Sequence, residues 1–249
     1  DDDMWSLLFN HAPIGSSNNF SKPPTLARVS KIVRAQSTGT SILTTKVAGS
    51  LLRGRGIDHP CKSRLVGEYA TFIRQRLLGL REQSLMRNID GGVINVIWSS
   101  RAPYIRKGKR YAPSRHIRDE DQLLGFLRDR LGPQFNITVV NFGQISLKES
   151  IELMVGADVF VGTHGAALVH SLFLEPHSVL IEMFGCDRAP TNRHYHNIAS
   201  LVDVQYKHLE GMSCIREEIT FSQKSQEKLL SMIQTSAKES RLQALKRLR

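Results

Sequence analysis

The sequence predicts an α/β fold built on a parallel sheet, and three observations predict it. Between residues 93 and 206, short apolar runs rich in β-branched residues alternate with helical patterns. Residues 158–184, DVFVGTHGAALVHSLFLEPHSVLIEMF, read as strand, glycine turn, helix, loop and strand. That is a βαβ unit, whose two strands run parallel. Its first strand, 158–161, is a short apolar run, Val159-Phe160-Val161 behind Asp158, with the length of a buried strand.

Residues 1–64 are weakly patterned. Ser, Asn, Gly and Pro cluster in 14–24 and read as loop, and 42–52 fits a strand or a short helix. From 65 to 80 a helix places Leu65, Tyr69, Phe72, Ile73, Leu77 and Leu80 near one face, with Arg74 elsewhere. VINVIW at 93–98 is a strand, ended by Ser99, Ser100 and Arg101. A basic loop follows over 102–118. Asp119, with Gln122 three residues on, caps a helix that Gly132-Pro133 stops near Leu131. Residues 137–142 form the next strand, and Ser146 caps a helix to Val155. After the βαβ unit, 191–201 is helical and 202–206 a short strand. Residues 221–249 read as a charged helical tail with a thin apolar stripe. The whole divides into 1–64, a Rossmann-like domain at 65–210, and a basic helical tail at 211–249.

The 249 residues are 41% hydrophobic, enough for a sizeable core, and carry a net charge of +11. Such a balance suits nucleic acid, an acidic membrane surface or a phosphorylated substrate. No zinc-finger spacing or aromatic-rich RNA motif accompanies it, so a phosphate-bearing partner is expected and nucleic acid is not. Cys61, Cys186 and Cys214 lack CxxC spacing, which argues against a metal site. An oxidising compartment would permit one disulfide, with Cys186–Cys214 favoured over the alternatives; three free thiols is the competing reading. Asn19-Phe-Ser and Asn136-Ile-Thr are N-glycosylation sequons, relevant only on a secretory route. No apolar run is long enough to span a membrane. The chain opens Asp-Asp-Asp rather than with Met, and is expected to lack an N-terminal part that could hold a membrane anchor.

Four stretches together resemble glycosyltransferase family 61: Ser100-Arg101 after a strand, 115–123 (RHIRDEDQL), 158–184, and 192–195 (NRHY). The likeness covers roughly 65–208. Ala167 stands where the family has a second glycine after HGA, and a basic insertion separates Arg101 from Arg115. The resemblance implies the donor-binding domain of a GT-B enzyme, with the N-terminal domain largely absent. It also implies inverting transfer of a sugar, GlcNAc or xylose, from a UDP-sugar to a hydroxyl of a glycoprotein or glycan. No cofactor is required, and the lumen of the endoplasmic reticulum or Golgi is the expected location. The alternative is a catalytically degenerate UDP- or glycan-binding module.

That chemistry needs a base for the acceptor proton and positive charge or N–H donors for the departing pyrophosphate. Arg101 and Arg115 are the expected phosphate ligands, with Arg106 and Arg110 competing for the second role. Thr163, His164, Gly165 and Ala166 sit at a strand's carboxyl end on a helix N-terminus, where an anion is favoured. The glycines suit a sharp turn by their backbone freedom. Glu182 is expected to accept ribose hydroxyls, and Arg193 to face the donor or pair with Glu182. His164 and Asp187 are the candidate bases. Asp119-Glu-Asp121 has the form of a DxD metal motif but reads as a helix start, so no metal is expected.

Overall fold

The computed structural model describes residues 64–79, 92–106, 108–111, 114–185 and 193–247. The readings for 1–63 and for Asp187 lie outside the described residues. In chain order the elements are α1 (Arg64–Leu78), β1 (Ile94–Ser99), β2 (Tyr104–Arg106), β3 (Lys109–Tyr111), β4 (His116–Ile117), α2 (Glu120–Leu131), β5 (Phe135–Val140) and α3 (Leu147–Val155). There follow β6 (Val159–Thr163), a 3-10 helix (Ala166–Phe173), β7 (Val179–Met183), α4 (His194–Leu201), β8 (Gln205–Leu209), β9 (Ser213–Ile215), β10 (Glu218–Thr220) and α5 (Gln223–Arg247).

Five strands make one parallel sheet in the order β5-β1-β6-β7-β8. The chain builds outward from β1 to β5, then crosses back and builds the other way from β6. The crossing point lies between the carboxyl ends of β1 and β6, where sheets of this class bind ligands. Ser99 is in register with Gly162 there. A Cβ on Gly162 would meet Leu168 Cδ2 at 2.8 Å and Ser99 Cβ at 2.9 Å, so glycine lets the 3-10 helix settle over the strand end.

One face of the sheet packs Val96, Trp98, Val161 and Ile181 against Leu123 and Leu127 of α2 and Leu229 and Ile233 of α5. The other packs Ile97, Phe160 and Leu180 against α1, α3, the 3-10 helix and α4. The region read as a solvated tail is therefore half of one core layer. Leu229, Ile233 and Ala237 are fully buried, each larger side chain contributing about 2 kcal/mol of apolar burial. The thin stripe was legible, but spacing alone did not say that it had a partner.

Several elements differ from expectation. The helix after Gly165 is a 3-10 helix, and its buried positions Leu168, Ser171 and the following Leu174 recur every third residue, the spacing at which a 3-10 helix aligns its side chains. In α1, Ala70, Ile73 and Leu77 are buried while Tyr69 and Phe72 are half exposed. Arg74 is buried instead, its Nη1 2.8 Å from Glu175 Oε1. The basic loop contains a hairpin, β2 with β3, and β4, which joins β10 and β9 in a small sheet. Strand β5 begins two residues earlier than read, and β8 three later. Ser146 does cap α3, with Glu149 completing a reciprocal capping box. Among the described residues, no helix is long and apolar enough to cross a membrane.

Candidate functional site

The end of β1 is fixed by a residue that the sequence reading had assigned to a helix start. Trp98 Nε1 donates to Glu120 Oε1 at 2.7 Å, and Ser100 Oγ donates to Glu120 Oε2 at 2.6 Å. Ser100 Oγ in turn accepts from the Ala102 N–H at 3.1 Å. Glu120 thus ties the first turn of α2 to the strand end from which Arg101 projects. Asp119, expected to cap this helix, makes no side-chain cap bond. Both oxygens of Glu120 are engaged by protein donors, so within the Asp-Glu-Asp run it is Glu120 that works as a clamp.

Arg101 Nε donates to the Ser114 carbonyl at 2.9 Å. Its guanidinium lies against Gly165, and a Cβ added there would collide with Nη1. Gly165 has φ 167 and ψ 170, an extended conformation open to any residue. Glycine here leaves room for the arginine's close approach and does not serve, as the sequence suggested, for backbone freedom. Arg115 does adopt a left-handed conformation, φ 63, and its N–H donates to the Glu217 carbonyl at 2.7 Å. That turn carries it to the same crevice. Arg101, Arg115, Tyr104, Ala166 and His170 share the lining of a cavity of about 410 Å3. Arg110 is exposed on the β2–β3 hairpin, whereas Arg115 shares the cavity lining with Arg101; the side chain of Arg106 lies outside the described residues.

The 3-10 helix starts immediately beyond. Its first internal bond runs from the Leu168 N–H to the Gly165 carbonyl at 3.0 Å. The N–H groups of Ala166 and Ala167 lie ahead of that ladder, at the positive end of the helix. Ala166 is exposed, whereas Thr163 is buried below the turn. The Thr163 hydroxyl has no hydrogen-bond partner among the described residues.

His164 is buried, and its Nδ1 bonds Glu182 Oε1. The ring stacks on Phe184 with centroids 5.2 Å apart and meets the Tyr195 ring edge-on at 5.3 Å. Glu182 has no exposed surface, and its other oxygen accepts from Tyr206 Oη at 2.7 Å. In place of an exposed contact for ribose hydroxyls, the structure shows a fully buried carboxylate with His164 on one oxygen and Tyr206 on the other, an arrangement that orients the imidazole. A carboxylate on Nδ1 places the proton of a neutral imidazole there and makes Nε2 the accepting nitrogen. Burial and then the Glu182 charge raise the Tyr206 phenol well above its ordinary range. Tyr195 is pushed up to about 12, by burial first and then Glu182, against the opposing pull of Arg115 and Arg101. Tyr195 therefore feels both the buried carboxylate and the two guanidiniums.

Arg193 stands at the start of α4, half-buried, with Nη2 3.5 Å from His196 Nε2. Sequence reasoning missed Glu120, Tyr195 and Tyr206 as parts of the site. Tyr195 belonged to a run already singled out, but only Arg193 in that run was given a role. Glu120 and Tyr206 become visible only when β1, α2 and β8 are brought together.

The family model Glycosyltransferase 61 matches residues 17–181. The chain is similar to the "EGF domain-specific O-linked N-acetylglucosamine transferase" of Xenopus laevis, with 34% identity over 76 residues, 30% of this chain and 14% of that protein. The same-named proteins of Gallus gallus and Drosophila melanogaster are each 26% identical, over 37% and 43% of this chain and 17% and 19% of theirs. The match thus spans less than a fifth of each of these relatives' length.

Proposed function

The chain belongs to glycosyltransferase family 61, and on that premise we propose that it forms the donor-binding part of an inverting, UDP-sugar-dependent glycosyltransferase. The observation that carries the reading is the convergence of Arg101, Arg115 and the exposed start of the 3-10 helix in one cavity at the β1–β6 crossing. Two guanidiniums and free N–H groups suit a diphosphate, and the cavity volume falls within the range of small-ligand sites.

In the proposed reaction an acceptor hydroxyl of a glycoprotein attacks the anomeric carbon of the sugar. The new C–O bond forms as the bond to the diphosphate breaks, and the leaving oxygen takes the electron pair. Arg101 and Arg115 offset that developing charge, a role here given to side chains and not to a metal. His164, its tautomer set by Glu182, is the candidate base for the acceptor proton, with Asp187 competing for that role. The names of the relatives favour GlcNAc as the sugar, with xylose as the competing donor. A luminal location in the endoplasmic reticulum or Golgi fits this chemistry. Cys214 being disulfide-bonded supports it, its partner Cys61 or Cys186 lying outside the described residues.

The test is calorimetric titration with UDP, UDP-GlcNAc, UDP-xylose and GDP, with and without manganese, followed by transfer assays on glycopeptide acceptors. Metal-independent, uridine-selective binding with transfer is expected. Binding without transfer would support the degenerate module instead, and no uridine nucleotide affinity would overturn both. His164→Gln should lower kcat while leaving the UDP affinity unchanged; a weaker affinity with normal kcat would make His164 a donor ligand and not the base.

A further inference from the structure

The Asn136-Ile137-Thr138 triplet lies on strand β5, away from the catalytic cavity, and nothing in the proposed reaction uses it. Three features of its placement bear on what it does. Among the described residues, strand β5 is the edge of the main sheet, paired to β1 on one side only. Asn136 is exposed, and it is the second residue of the strand, at the amino end of the sheet. Arg101 and Gly165 lie beyond the carboxyl ends, so a bulky group on Asn136 leaves the cavity open.

The Asn136 amide carries two N–H bonds. Its Nδ2 donates to Asn95 Oδ1 at 3.3 Å on the neighbouring strand. A side-chain amide bearing one substituent on nitrogen retains an N–H, so this contact is compatible with modification. Thr138 shares a face with Asn136, since side chains two apart point the same way in a strand. It is half-buried, which requires the triplet to be recognised before β5 pairs with β1. The disulfide at Cys214 independently marks an oxidising compartment, the one in which such triplets are modified.

We propose that Asn136 carries an N-linked glycan, an inference that rests on the luminal part of the reading above. In the step, Asn136 Nδ2 attacks the anomeric carbon of a lipid-diphosphate-linked oligosaccharide. A C–N bond forms, the C–O bond to the diphosphate breaks, the diphosphate leaves with the electron pair, and the amide gives up one proton. The attached sugar stands at a strand edge that, among the described residues, has no partner beyond it. Open edges template pairing with other chains, and a glycan blocks that approach.

The experiment is to express the whole chain in animal cells behind a cleavable signal peptide. The secreted product is then treated with an N-glycosidase in oxygen-18 water, and the peptide spanning Asn136 is identified by mass spectrometry. The route imposes the lumen, so failure here speaks to Asn136, whereas failure of the UDP titration speaks to the enzyme. Conversion of Asn136 to labelled Asp is expected, together with its loss in Thr138→Ala and its retention in Thr138→Ser. Recovery of the peptide only in unmodified form, from secreted chain with Cys214 disulfide-bonded, would overturn the proposal. The wild-type peptide decides the matter even where Asn136→Gln fails to fold.

Discussion

Arg101 and Gly165 act as one unit, because the guanidinium occupies the space that a side chain at 165 would fill. Arg101→Ala is expected to weaken UDP binding by about 1.5–3 kcal/mol, the range for a lost hydrogen bond to a charged group. Gly165→Ala should produce a comparable loss without removing any charge, since its methyl would displace the arginine. Calorimetry on both variants checks this; a normal affinity in folded Gly165→Ala would show that the arginine's position is not critical. His170 gives a pH prediction. Burial holds its pKa below the usual 6.5, so the folded state resists protonation more than the unfolded chain does. The neutral ring is favoured, so this contribution is fully present above pH 6.5 and is lost as pH falls through the depressed folded value. Denaturant melts at pH 7.5 and 5.5 should show a fall in stability that His170→Gln reduces. An undiminished fall would assign it to other groups, among them His196, which burial also lowers.

At the scale of elements, the site depends on β1 and α2 being joined through Glu120. Removing that carboxylate leaves the indole N–H of Trp98 and the hydroxyl of Ser100 without their acceptors. Glu120→Ala should therefore cost about 2 kcal/mol of stability and weaken UDP binding as well, although Glu120 is not among the residues lining the cavity. Glu120→Gln, which keeps an acceptor, should recover part of both; thermal melts paired with UDP titration would show it. The elements themselves were largely legible in the sequence. The apolar runs at β1, β6 and β7 are buried along nearly their whole length, so composition alone marked them. The Ser146–Glu149 box announced α3 because capping is a local matter. Legibility failed where non-local contacts decide. Arg74 is inside because Glu175, far along the chain, meets it there. Glu182 carries a charge that a strand end would ordinarily show to solvent, and only His164 and Tyr206 explain its burial. The fold class and the arginine–glycine crevice were thus readable, but the hydrogen-bonded support beneath them was not.

For the whole molecule, the position of α5 matters most. It closes the core layer that contains Trp98, Leu123 and Leu127, so deleting residues 223–249 should abolish cooperative unfolding and UDP binding together. Circular dichroism melts would reveal this, and a truncated chain that still melts cooperatively would mean that α2 alone suffices to cover the face. The order of elements along the chain adds a consequence in time. Every strand of the main sheet precedes α5 in sequence. During translation the finished sheet must wait, one apolar face covered only by α2, until the residues of α5 clear the ribosome. In that interval the nascent chain displays the kind of surface that chaperones bind. Ribosome pausing before residue 223 would therefore prolong chaperone engagement, whereas pausing after α5 has emerged would not.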